Sequence, residues 1–234
     1  MATRPRFVAA LSLADGVTAA NAALGFLAAA LAPFSPPLAA RFVLLAAVAD
    51  GLDGVLATHV GSTPVGEFLD SLADVASFCV APALLVVSTV RLERGMTLSA
   101  GMEWLALAVA ALFVVSGVVR LGLYTAYDVE RGRTEGVQTT LAATVLAAGL
   151  LAGIATPAVL VGATAIFVGL MVAPVGYPDL RVRDALVMGV VQAGAIVAPT
   201  VLFRVFPRLL LVCALAYLVL GPRFYPTGGE GKRT

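Results

Sequence analysis

Long apolar runs, broken by short polar or proline-rich stretches, repeat from one end of the chain to the other. They predict helical spans near residues 11–32, 38–57, 66–90, 102–123, 137–155, 157–174, 185–203 and 208–221. Some are shorter than the roughly 20 residues that a perpendicular bilayer crossing needs. Pro33-Phe34-Ser35-Pro36-Pro37 and Pro174-Val175-Gly176-Tyr177-Pro178-Asp179 read as turns. Thr156-Pro157 is either a tight hairpin or a kink in one long helix, so the pattern gives eight spans or seven. Alanine, glycine and serine recur along the helices and permit close packing.

Composition sharpens this picture. The 234 residues are 60% hydrophobic and 12% charged, with a mean hydropathy of +1.00. Soluble domains sit near 45–50% apolar and about 25% charged. The expected fold is therefore an all-α integral membrane protein, one domain over residues 1–234. A net charge of +1 gives no reason to expect a nucleic-acid partner. Cys79 and Cys213 fall inside apolar runs and read as packing residues, with no disulfide framework implied. The basic start Met1-Ala2-Thr3-Arg4-Pro5-Arg6 lacks a clear cleavage site and reads as a cytoplasmic anchor for the first helix.

Arginine placement sets the expected orientation. With eight spans, Arg4, Arg6, Arg131, Arg133, Arg181, Arg183, Arg223, Lys232 and Arg233 fall on one side. Arg41, Arg91, Arg94, Arg204 and Arg208 fall on the other. The excess puts both termini in the cytoplasm. The second span then runs inward and the third starts from the same side, near Gly66. Trp104 reads as an interfacial anchor.

That region carries the chemistry. Of 14 acidic residues, five lie between positions 50 and 74, and four of these are Asp50, Asp53, Asp70 and Asp74. One carboxylate at mid-bilayer costs roughly 2.5–3.5 kcal/mol on insertion scales, so four cost on the order of 10 kcal/mol unless compensated. Asp50 and Asp53 are three apart and share a helix face, which Gly54 and Ala57 continue. Asp70 and Asp74 are four apart, with Gly66 one turn earlier. A short turn joins the two helices, so they are expected to be antiparallel neighbours with their acidic faces meeting. Four such carboxylates can hold one or two Mg²⁺ or Mn²⁺ ions. Those ions would hold a pyrophosphate and neutralise charge as it is cleaved. Glu67 stands at a helix start, where acids are favoured anyway, and is read as structural.

The pattern Asp50-x-x-Asp53-Gly54-x-x-Ala57, followed after Thr58 by seven residues and then Gly66-x-x-x-Asp70-x-x-x-Asp74, closely resembles the CDP-alcohol phosphotransferase signature. The stretch from Leu69 to Ala83 resembles the phosphatidylserine and archaetidylserine synthase branch of that family. The resemblance covers roughly residues 10–125. It implies a six-helix catalytic core, here with extra helices, usually in a homodimer. It implies that Asp50, Asp53, Asp70 and Asp74 ligate a metal pair, and that Asp74 is the general base on the incoming hydroxyl. It places Gly54 and Ala57 under the cytidine and ribose, with Gly66 part of the same signature. The segment Asp15 to Asn21 resembles the family's Thr/Asn segment, which makes Thr18 and Asn21 CDP-binding residues. The implied reaction passes a phosphatidyl or archaetidyl group from a CDP-activated lipid to L-serine and releases CMP. The site then faces the cytoplasm from within the cell membrane.

Two positions depart from the family. Thr58 stands where the family has arginine beside the phosphates, giving one hydroxyl in place of a bidentate cation. His59, the only histidine, follows it. Cys79 replaces a glycine common in the branch. Arg120 sits near the cytoplasmic end of the fourth span, and two readings stand open: it holds the acceptor's carboxylate or a phosphate, or it snorkels to the interface. The acceptor could also be glycerol phosphate or inositol phosphate. A cation-coupled transporter is the alternative of another class, since intramembrane aspartates also mark ion pathways. Lysine occurs once, at Lys232, among 15 basic residues, a composition that leans towards an archaeal lipid.

Overall fold

A computed structural model describes residues 11–60, 63–94, 101–128, 133–178 and 182–224. Arg4, Arg6, Arg131, Arg181, Lys232 and Arg233, which enter the orientation argument, lie outside the described residues, as do the side chains of Thr58, His59, Arg94, Arg133 and Arg183.

Helix α1 (Leu13–Leu31) starts at a capping box. Ser12 Oγ accepts from the Asp15 amide at 3.2 Å, and Asp15 Oδ2 accepts from the Ser12 amide at 2.6 Å. Two backbone donors at the helix start are thereby satisfied. Helix α2 (Pro36–Val60) opens on Pro36-Pro37, two residues before the expected start. Proline suits the first turn, where no intrahelical partner for its missing N–H exists. Helix α3 (Gly66–Asp74) runs without interruption into a π-helical segment (Val75–Val80) and then α4 (Ala81–Arg94). The expected single span is thus one rod with a widened turn directly after Asp74.

Helix α5 (Gly101–Leu123) also ends in a π-helical turn, Tyr124–Asp128. Helices α6 (Thr139–Ala152) and α7 (Pro157–Met171) are separate. Gly153, at φ 100°, ends α6 and Pro157 begins α7, so the Thr156-Pro157 break is a tight connection and not a kink. Helix α8 (Val182–Val197) stops before Pro199, six residues short of the expected boundary at 203. Helix α9 (Val201–Phe224) takes up those residues, with a left-handed turn at Leu202, Phe203 and Arg204. Arg204 Nη1 from that turn donates to Leu151 O at 3.4 Å and so closes the exposed carbonyl end of α6.

The fold is all-α and the protein is a multi-pass membrane protein. By length and composition four described helical stretches can cross a bilayer: Leu13–Leu31, Gly66–Glu93, Gly101–Tyr127 and Val201–Arg223. Helix α2 is as long, but it carries Arg41, Asp50 and Asp53. Apolar side chains such as Phe26, Ile166, Val190 and Val212 are exposed on the outside of the bundle. Trp104 is exposed too, in keeping with an anchor role. Helix α6 is buried on every side from Leu141 to Ala152, with Ala142, Ala143, Ala147 and Ala148 wholly inaccessible. A helix apolar all round belongs at the centre of a bundle; α2, α4, α7 and α9 all pack on it.

Helices α2 and α3 each pack against α1, and their backbones make few close contacts with one another. Their acidic faces nevertheless meet, as expected, through the carboxylates of Asp50, Asp70 and Asp74.

The departure at Cys79 has a packing explanation. Cys79 is buried, and its Sγ occupies the space that a side chain at Gly117 on α5 would need. A thiol on one helix has exchanged with a missing side chain on its neighbour. Gly117→Ala is accordingly expected to cost about 1–3 kcal/mol of stability, the usual worth of overpacking. In a Cys79→Ala background most of that loss should vanish. Thermal unfolding of the four proteins in detergent checks this, and an equal loss in both backgrounds would refute the pairing.

Candidate active site

Carboxylate oxygens of Asp50, Asp70 and Asp74 lie within 4.8 Å of one another. Asp50 reaches the cluster from α2, Asp70 and Asp74 from successive turns of α3. Hard oxygen donors in this number and spacing suit Mg²⁺ or Mn²⁺ better than softer metals. Asp53 is not in the trio. Its Oδ2 accepts from Thr18 Oγ1 of α1 at 2.6 Å, and Thr18 Oγ1 also lies 3.1 Å from its own helix's Ala14 carbonyl.

Two cavities meet at the cluster. The larger, about 270 Å³, is walled by Asp50, Asp53, Gly54, Ala57, Gly66 and Asp70, with Thr18 and Asp15 from α1. The smaller, about 190 Å³, is walled by Asp50, Asp70 and Asp74 together with Arg120, Tyr124 and the first turn of α6. Asp50 and Asp70 belong to both. Asp53 faces only the larger cavity and Asp74 only the smaller.

The glycines of the motif have different reasons. Gly54 lines the larger cavity, and a side-chain carbon there would meet nothing within 4 Å. One at Gly66 would stand 3.1 Å from Asp15 Oδ1, tighter than ordinary contact. Asp15 is held there by Thr63 Oγ1, which donates to its Oδ2 at 3.0 Å. Gly54 thus leaves room for a ligand, while Gly66 also leaves room for Asp15.

Asn21, expected to bind CDP, lies beside Asp74. It is fully buried behind the cluster and is not part of either cavity wall. Its Nδ2 lies 3.5 Å from Asp74 Oδ1, and its backbone carbonyl accepts from Ser77 Oγ at 2.8 Å. Its Oδ1 finds no hydrogen-bond partner among the described residues. Ser77 belongs to the π-helical segment and lies so close to α1 that a side-chain carbon at Gly25 would collide with it. The widened turn after Asp74 is thereby pinned to α1. Such π turns concentrate at functional sites.

Arg120 is buried, 7% exposed, with its guanidinium 5.9 Å from the centre of the Tyr124 ring. It lies inside the bundle, against the reading that it snorkels to an interface. Among the wall residues that escape the sequence reading are Ser71, Leu121, Tyr124, Gln138, Thr139 and Thr140. Ser71 and Thr125 hydroxyls are 2.6 Å apart, tying α3 to the turn after α5. Thr140 Oγ1 lies 3.5 Å from Asp50 Oδ2. The polar run Gln138-Thr139-Thr140 before an apolar helix was the available signal. The side chains of Thr58 and His59 lie outside the described residues.

Comparison with known proteins agrees with the geometry. The profile of the CDP-alcohol phosphatidyltransferase family matches residues 11–175. The chain belongs to this family of membrane transferases, which sets the transporter alternative aside. An archaetidylserine synthase of Methanothermobacter thermautotrophicus is 29% identical over 147 residues, 61% of this chain and 59% of that protein. A CDP-diacylglycerol–serine O-phosphatidyltransferase of Mycobacterium leprae is 32% identical over 52% of this chain and 35% of its own length. One of the same name from Methanocaldococcus jannaschii is 32% identical over 51% of this chain and 52% of its own. The chain thus spans between about a third and three fifths of these relatives.

The open space at Gly54 gives a direct test. Gly54→Leu is expected to leave insertion and folding intact and to weaken CDP-lipid binding by at least roughly 10–100-fold, the equivalent of 1–3 kcal/mol of steric conflict. Equilibrium binding of a CDP-lipid to the purified variant measures it. Wild-type affinity would place the nucleotide elsewhere.

Proposed function

We propose that the protein transfers an archaetidyl or phosphatidyl group from a CDP-activated lipid to L-serine, releasing CMP in phospholipid synthesis. The observation that carries this reading is the division of the four aspartates between two cavities that share Asp50 and Asp70. A displacement at phosphorus needs the attacking and leaving oxygens on opposite sides of the reacting group. A shared pair of carboxylates between a larger and a smaller cavity supplies that arrangement.

The larger cavity takes the CDP end. Gly54 and Ala57 leave room for the nucleoside, Thr58 follows them on α2, and Thr18 fixes the Asp53 carboxylate. Asp50, Asp53, Asp70 and Asp74 are the metal ligands, and two Mg²⁺ or Mn²⁺ ions suit four carboxylates. Bound metal would neutralise the pyrophosphate and stabilise the CMP oxygen as it leaves. Asp74, alone of the four on the acceptor side only, is the general base. It takes the serine hydroxyl proton as the serine oxygen bonds to the lipid-side phosphorus and the bond to the CMP oxygen breaks. Asn21 orients Asp74 from behind.

Serine is favoured over a phosphorylated alcohol by the charge of the smaller cavity. Its wall holds one cation among the described residues, Arg120, facing three carboxylates. That balance suits a zwitterion with a single carboxylate better than a phosphate dianion, and Arg120 can take the carboxylate in bidentate fashion. The names of the serine-specific relatives point the same way. The arginine distribution supports a site in the cytoplasmic half of the cell membrane, with both termini cytoplasmic. The homodimer is carried over from the family resemblance alone.

CMP release by the purified protein, given CDP-archaeol or CDP-diacylglycerol, tests this reading with serine, glycerol phosphate and inositol phosphate in parallel. Serine should be the preferred acceptor, and exhaustive EDTA treatment should abolish turnover until Mg²⁺ or Mn²⁺ returns. Preference for a phosphorylated acceptor would overturn the serine assignment; unchanged turnover in EDTA would overturn the metal assignment.

Base and ligand are separable. Asp74→Asn keeps the shape but cannot accept a proton, so serine-dependent CMP release should fall by about 10²–10⁴-fold, the usual contribution of general acid–base catalysis. CDP-lipid affinity at saturating metal should change far less. Asp50→Asn should weaken metal and CDP-lipid binding together. Equal loss of binding in the two variants would make Asp74 simply another ligand.

A further inference from the structure

The first turn of α6 walls the smaller cavity, and the side-chain bond it makes there is a long one, from Thr140 Oγ1 to Asp50 Oδ2 at 3.5 Å. Gln138, at the N-cap position, makes no side-chain capping bond. The restraint comes from the two connections beneath it. Residues Arg133–Glu135 (β1) pair antiparallel with Gly176–Pro178 (β2), with Thr134 opposite Tyr177 and Glu135 opposite Gly176. Directly after β1, the Gly136 amide donates to Val175 O at 2.9 Å and the Val137 amide donates to Leu170 O at 3.0 Å. Leu170 lies in the last turn of α7, whose carbonyls need such outside donors. Val137 is wholly buried.

Gly136 is irreplaceable at this point on two counts. Its φ of 77° is a conformation that side chains disfavour, and a side-chain carbon there would run into the Met171 carbonyl. The far strand is anchored as well. Tyr177 is buried, its hydroxyl donates to Leu218 O of α9 at 3.2 Å, and its ring lies 6.3 Å from that of Tyr217. The chain from α9 to the cavity is therefore continuous: Leu218, Tyr177, the strand pair, Gly136, then Gln138, Thr139 and Thr140.

We propose that Gly136 and Tyr177 are positioning residues for the acceptor. The strand pair sets the distance between the first turn of α6 and the Asp50–Asp70–Asp74 cluster, and with it the width of the acceptor cavity. Among the described residues the larger cavity takes no wall from α6, the strand pair, α7 or α9, so the device acts on the acceptor side and reaches CDP-lipid binding only weakly, through the Thr140–Asp50 contact. The inference rests on the two-cavity reading above, with the smaller cavity as the acceptor's.

The test uses the full chain. Gly136→Ala should raise the acceptor KM about 10-fold or more, as displacement of a positioning group does. Its kcat at saturating acceptor and its CDP-lipid affinity should stay within about 3-fold of wild type, the pattern of lost binding without lost chemistry. Tyr177→Phe removes one hydrogen bond and keeps the ring. It should raise the same KM by about 2–5-fold, and it decides the matter if Gly136→Ala does not fold. A wild-type acceptor KM in the folded variants, or CDP-lipid affinity falling in step with the KM, overturns the proposal. The KM is measured on whichever alcohol the wild type uses best. Failure of the serine assignment then appears in the wild type, and failure of the positioning role appears in the variants.

Discussion

Mutual repulsion of carboxylates inside an apolar bundle is the constraint around which the protein is arranged. Asp50, Asp70 and Asp74 bring oxygens within 4.8 Å of one another. At an effective dielectric of about 20, unit charges at that distance repel by on the order of 3 kcal/mol per pair. The fold does not relieve this by separating them. Helix α1 packs on both α2 and α3 and so holds the helices that bring the carboxylates together. Its polar residues each engage one aspartate, Thr18 from the wall of the larger cavity and Asn21 from a buried position outside both cavities. Such a site is stable in proportion to the positive charge it receives, which is why a bound cation and an anionic substrate belong to the same physical unit.

The four aspartates were legible in the sequence because their spacing is a property of one helix at a time. Separations of three and four residues put carboxylates on one face whatever the neighbours do. The same holds for the all-α character and for most span limits, which follow from local hydropathy and proline. Features that depend on which helix lies opposite were not legible. Asp53 has the same motif position whether it joins the trio or turns to Thr18; only the placement of α1 decides. Asn21 has the same place in its helix whatever lies opposite, and only packing against the π-helical segment brings its amide beside Asp74. Cys79 looked like an unexplained substitution until Gly117 was found facing it. The boundary at 203 was missed because the apolar run continues through Pro199 while the helix does not. The pairing of β1 with β2 joins segments about 40 residues apart that have no alternating pattern.

Four chemically identical side chains thus acquire different work from position alone. Asp50 and Asp70 stand between the cavities, Asp53 belongs to the larger and Asp74 to the smaller. The helices that build the two sides are also different. Helices α1, α2 and α3 enclose the larger cavity, and all of them lie within the motif-bearing first third of the chain. The smaller cavity takes its remaining walls from α5 and α6. Those walls are in turn set by connections that reach α7 and α9. A change in the second half of the chain can therefore alter the walls of the smaller cavity while leaving those of the larger one in place. The aspartate motif is local because its residues fall on neighbouring turns of two helices, and the smaller cavity is distributed because its shape is set by the packing of helices far apart in the chain. For that reason the sequence speaks plainly about the activated donor and only faintly about the alcohol.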